Sequence, residues 1–139
     1  MASQNNISIF QSDWLKFITE SPNFFESSKK EITRCNGEIE TYNKLSKSQA
    51  IMLTGWSVAQ NGDAPKSLVI INQANQIVGY AVSGEKRQAI FNQTKNGLYS
   101  GWKGFIFPAF ASSTSHISVY GILGGNHFCI MPDSLQIDL

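Results

Sequence analysis

The sequence predicts an all-β fold: an immunoglobulin-like or jelly-roll-like sandwich of seven to eight strands with a short N-terminal helix. Three observations lead there. From Cys35 onward the apolar runs have strand length, several of them alternate with period two, and turn-forming residues separate them. A partly closed barrel is the alternative arrangement of the same strands.

The N-terminal part comes first in chain order. Ser12 or Asp13 can cap a helix in which Trp14, Phe17 and Ile18 recur at helical spacing. Pro22 stops the run, because the residue before a proline avoids the α region. A helix over about 12–20 is expected, followed by a connector from Phe24 to Arg34 that mixes aromatic with charged and hydroxyl residues. The chain therefore divides into residues 1–34, helix and connector, and residues 35–139, the β-sandwich domain. No internal repeat is present.

Candidate strands are 35–42, 50–58, 67–72, 77–82, 103–107, 116–123, 126–131 and 134–138. Lys103, Phe105 and Phe107 alternate with Gly104 and Ile106, and Ile117 and Val119 with Ser118 and Tyr120, as on a strand with two different faces. Leu68-Val69-Ile70-Ile71 is continuously apolar, which suits a strand buried on both faces. Asn61-Gly62-Asp63-Ala64-Pro65, Gln73-Ala74-Asn75-Gln76 and Ser83-Gly84 supply the turns. The 67–72 and 77–82 pair predicts a hairpin with a four-residue loop. Residues 86–94 fit one helical turn through Ala89, Ile90 and Phe91 as well as they fit a loop.

Composition bounds the function. A chain of 139 residues is long enough to bury a core as one domain. Only 15% of residues are charged while 12% are aromatic, which excludes an intrinsically disordered chain. The net charge is +1, and the basic and acidic residues balance in both parts of the sequence, so the clustered basic face of a nucleic-acid binder is absent. No run approaches the roughly 18–20 apolar residues that span a bilayer. The first residues, Met1-Ala2-Ser3-Gln4-Asn5-Asn6, lack the basic and apolar regions of a signal peptide, so any export signal is expected outside this sequence.

Few residues point to catalytic chemistry. No Gly-x-Ser-x-Gly elbow occurs, and His116 and His127 read as strand or surface histidines rather than bases. Glu38 and Glu40 alternate on a strand and would share a face, which reads as a solvated pair of acids. Gly121-Ile122-Leu123-Gly124-Gly125 has no following Lys-Ser/Thr and is a turn or bulge, not a phosphate cradle. Too few carboxylates converge at Asn61-Gly62-Asp63 for calcium, and the sequon Asn92-Gln93-Thr94 has no support around it. No metal site and no cofactor are expected. Cys35 and Cys129 belong to no CxxC pair, and their spacing alone leaves two buried thiols and a bridge equally open.

One constellation points to a ligand. Trp56, Tyr80, Tyr99, Trp102 and Tyr120 are polar-edged aromatics set among Asn, Gln, Ser and Gly. Sugars stack on such rings while amides and hydroxyls read their hydroxyl groups. Trp56 and Tyr80 are expected in the core. Tyr99 and Trp102 lie in the turn-rich stretch 96–102 and are the candidate glycan platform.

The order of motifs carries a resemblance. Cys35-x-Gly37-x-Ile39, Leu53-Thr54-Gly55-Trp56-Ser57-Val58, the Leu68–Ile71 strand and Gln76-Ile77-Val78-Gly79-Tyr80-Ala81 follow one another. Gly84-x-x-Arg87, Gly101-Trp102-x-Gly104-Phe105 and Phe128-Cys129 come after. Over about residues 35–131 this resembles the small β-sandwich domain that follows the membrane-spanning region in some bacterial envelope proteins, glycosyltransferase-like ones included. Ser57 stands where that pattern has a small apolar residue, and the Arg87 turn lacks its Pro-Asp. The resemblance implies an extracytoplasmic location, tethering to a membrane protein outside this sequence and no chemistry of its own. It also places a cysteine near each end of the domain, which in an oxidising compartment implies a Cys35–Cys129 disulfide. The expected function is a non-catalytic accessory domain binding a glycan or a neighbouring envelope protein. A purely structural spacer and an enzyme with an unrecognised site are the alternatives.

Overall fold

The computed structural model describes residues 31–45, 49–95, 97–111, 114–124 and 127–136. The helix expected at 12–20 lies outside them. The strands are β1 (Glu31–Arg34), β2 (Asn36–Lys44), β3 (Ile51–Val58), β4 (Ser67–Asn72), β5 (Ile77–Glu85), β6 (Gly101–Ile106), β7 (His116–Gly124), β8 (His127–Ile130) and β9 (Leu135–Gln136). Two short helices, α1 (Gln88–Thr94) and α2 (Pro108–Ala111), precede β6 and β7.

The fold is mostly β, and all nine strands belong to one curled, mixed sheet in the order β1-β8-β7-β4-β5-β6-β3-β2, with β9 on β7. Every pairing is antiparallel except that of β1 with β8. The expected strands recur within a few residues of their bounds, and the 73–76 hairpin loop has the expected length. Asn72 shapes that loop: its Oδ1 accepts hydrogen bonds from the backbone N–H groups of Ala74 and Gln76, both at 2.9 Å. Residues 31–34, read from sequence as connector, form β1. They are strand because β8 offers a free edge, with Ile32 opposite Phe128 and Arg34 opposite Ile130.

β1 and β2 are separated only by Cys35, yet they stand at opposite ends of the strand order. The sheet therefore curls until its two edges meet at that residue. There the Cys35 N–H donates to the Ile130 carbonyl at 2.9 Å, and Cys35 is bonded to Cys129 with the Cα atoms 5.0 Å apart. The implied disulfide is present.

Inside the curl, the inward faces of the central strands supply a common core. Ile51 and Leu53 of β3, Leu68 and Ile70 of β4, Trp102 and Ile106 of β6, and Ile117 and Val119 of β7 pack there with both cysteines and Met131. Gly55 is required by this packing, since a Cβ at that position would lie 2.5 Å from Trp102 Cζ2. The Leu68–Ile71 run is buried on both faces, as its unbroken apolar character predicts.

Candidate functional site

The aromatic residues separate according to strand parity. Trp102 shares the inward face of β6 with Gly104 and Ile106, is 0% exposed, and donates its Nε1–H to Ser57 Oγ at 3.0 Å. Ser57 in turn donates to Met131 Sδ. Trp102 is therefore a core residue and is not available as a surface platform, which corrects its place in the candidate pair. Tyr99 is 58% exposed. Its turn is held to β3 by the Ser57 N–H donating to the Ser100 carbonyl at 3.1 Å, and to residue 87 by the Arg87 N–H donating to the Leu98 carbonyl at 2.6 Å.

Trp56, expected in the core, instead points away from it. On β3, Ile51, Leu53, Gly55 and Ser57 are buried, while Met52, Thr54 and Trp56 on the other face are half-buried. Trp56 lines a cavity of about 400 Å³ together with Asn36, Gln60, Thr94 and Pro132. An indole thus stands beside two primary amides and a hydroxyl, the combination that period-two alternation along β3 could have found.

The β3–β4 loop walls this cavity on one side and a larger cleft of about 820 Å³ on the other, with Ala59 and Gln60 common to both. Thr33, Asn61, Asp63, Lys66 and Leu123 line the larger one. The loop is internally braced. The Asp63 N–H donates to Asn61 Oδ1 at 3.0 Å, and the Ala59 N–H donates to the Asp63 carbonyl at 2.7 Å. Asn61-Gly62-Asp63 is thus a turn, and among the described residues no group of three or more His, Cys, Asp or Glu side chains could hold a metal ion.

The remaining candidates are scattered. Glu38, opposite Trp56, and Glu40 are both exposed, with a bulge between Ile39 and Thr41, and Glu40 is engaged by Arg87, whose Nη2 donates to its Oε1 at 2.9 Å. Arg87 also reaches Glu85, which contacts Lys103, so these charges form a surface network. His127 Nδ1 lies 3.1 Å from Glu31 Oε2, both exposed, on the β1–β8 edge. It pairs with Gly124, whereas His116 begins β7, roughly 26 Å away along the strand. Among the described residues no helix is long and apolar enough to cross a membrane. No family model, curated protein or solved structure matches this chain.

Proposed function

We propose that this chain is a non-catalytic accessory domain of a cell-envelope membrane protein, working outside the cytoplasm and binding glycan through the Trp56 cavity. The observation that carries the reading is the half-buried Trp56 indole beside Asn36, Gln60 and Thr94. The C–H face of a sugar packs on an indole, and amides and hydroxyls both donate to and accept from its hydroxyl groups. The braced β3–β4 loop favours such a site, because a wall ordered beforehand loses little entropy on binding. Tyr99 stands on the neighbouring turn as a second exposed ring. The Cys35–Cys129 bridge supports a non-reducing compartment. The separation of His116 from His127, and the engagement of Glu40 by Arg87, support a role without catalysis. The same reading takes the curled sheet as a sandwich whose halves, β5-β4-β7-β8 and β6-β3-β2, face each other across the shared core.

The test is a glycan array with the isolated chain, followed by titration of any glycan bound. Trp56→Ala is expected to weaken binding at least tenfold with the circular dichroism spectrum unchanged. A wild-type chain that binds no glycan, or a Trp56→Ala variant that binds equally well, overturns the reading.

A further inference from the structure

The Trp56 cavity is polar but uncharged. Among the described residues that line it, the polar side chains are the amides of Asn36 and Gln60, the Thr94 hydroxyl and the indole itself, and none is ionisable. Charge begins immediately outside the lining. Gly37 is followed by Glu38, Gly62 by Asp63, Pro132 by Asp133 and Thr94 by Lys95. All of these charged residues are exposed, so three acids and one base flank the cavity. The acidic bias is local, because the whole chain carries a net charge of +1.

Register ties Glu38 to the indole. It is the residue of β2 directly opposite Trp56, while Gly37 is opposite the buried Ser57 and Ile39 packs against the core. Glu38 and Trp56 therefore share the outer face, where directly opposed residues have Cβ atoms about 5 Å apart. Glu40 is engaged by Arg87, but among the described residues no cation pairs with Glu38. Its carboxylate faces any ligand of the cavity from inside the Debye length, about 8 Å at physiological salt. Sites for acidic sugars have the opposite arrangement, with an Arg or Lys that grips the carboxylate or sulfate.

We propose that the Trp56 site selects uncharged sugars and rejects acidic ones, uronic acids and sulfated sugars alike, with Glu38 as the residue that sets the preference. The inference rests on the glycan reading above and names the class of sugar it takes. Stacking on the indole and hydrogen bonds to the amides are nearly the same for a neutral hexose and for its uronic acid, which differs only in the carboxylate. Discrimination between them therefore falls to electrostatics. A like charge beside the seat weakens the wrong ligand without adding a contact to the right one. Two unit charges about 6 Å apart, in surroundings between bulk water and a protein surface, repel enough to weaken binding roughly three- to tenfold.

The experiment uses the full chain and an array of matched pairs, each a neutral oligosaccharide beside its uronic-acid or sulfated counterpart, followed by titration of the pairs that bind. The neutral member of each pair is expected to bind roughly three- to tenfold more tightly at low salt, and the ratio should shrink as added salt shortens the Debye length. Glu38→Gln should shrink the ratio at low salt by tightening the acidic member. Acidic members that bind as well as the neutral ones or better, through a site that Trp56→Ala abolishes, overturn this inference and leave the glycan reading standing. A Glu38→Gln variant with the wild-type ratio overturns the role of Glu38. An array on which nothing binds, or on which binding survives Trp56→Ala, overturns the glycan reading and this inference together. Should Glu38→Gln fail to fold, the salt dependence of the wild-type ratio decides, and a ratio that salt does not change contradicts the proposal.

Discussion

At the scale of single residues, the buried polar chemistry of this domain converges on Ser57. Trp102 has one donor, its indole N–H, and inside the core only Ser57 Oγ receives it. The serine's own proton goes to the Met131 thioether, so one hydroxyl ties β3 to β6 and to the segment after β8. Ser57→Ala leaves the indole N–H buried without an acceptor, and a loss of about 1–3 kcal/mol is expected. Urea unfolding checks this: the midpoint should fall with an unchanged slope, and a shift smaller than about 0.5 kcal/mol contradicts the role assigned to Ser57. The sequence marked Ser57 only as a departure from a pattern, because its partners lie 45 and 74 residues away. For Trp102 and Trp56 the signal was present. Counting back in twos from Ile106 puts Trp102 inside, and counting forward in twos from Met52 puts Trp56 outside. The turn-rich neighbours of Trp102 concealed that parity.

At the scale of elements, local chemistry was legible and tertiary causes were not. The β4–β5 hairpin follows from its own residues: Asn72 caps the loop, and Asn75 takes a positive φ of 61° that asparagine tolerates. Helix α1 ends in the same local way, with Lys95 left-handed and its N–H on the Phe91 carbonyl. By contrast, Glu31-Ile32-Thr33-Arg34 has no strand signature of its own. It is a strand because β8 pairs with it and because the next residue is tied to Cys129. The bridge closes a loop of 94 residues' separation, for which loop-closure entropy gives about 4–5 kcal/mol of stabilisation. The paired Cys35→Ser/Cys129→Ser variant should lose stability of that order, read from its denaturant midpoint. β1 should lose protection first, since its main remaining tie to the sheet is four residues of parallel pairing. Unchanged stability in the double variant would place the anchoring of β1 elsewhere.

At the scale of the molecule, the strand order predicts where the fold yields. β4 lies between β5 and β7, has apolar side chains buried on both faces, and leaves its backbone no open edge. β2 ends the strand order on one side, has no fully buried residue, and presents every second amide to an unpaired edge. β9 holds only the register pairs at His116 and Ile117. Backbone amides exchange with solvent through openings whose free energy ranges from near zero at edges to the global value in the centre. Hydrogen exchange followed by mass spectrometry, with the disulfide intact, should therefore be slowest over residues 68–71 and their partners 118–121. It should be intermediate in β3 and β6, and fastest over 41–44 and 135–136. The closure at Cys35 modifies this gradient in one place. Residues 36–39 are on the same edge strand as 41–44 but adjoin the bridge, so they should exchange more slowly than the far end of β2. If both ends of β2 exchange at one rate, the meeting of the sheet's edges at Cys35 does not restrain opening. If β2 is protected as fully as β4, another part of the chain or a second copy covers its edge.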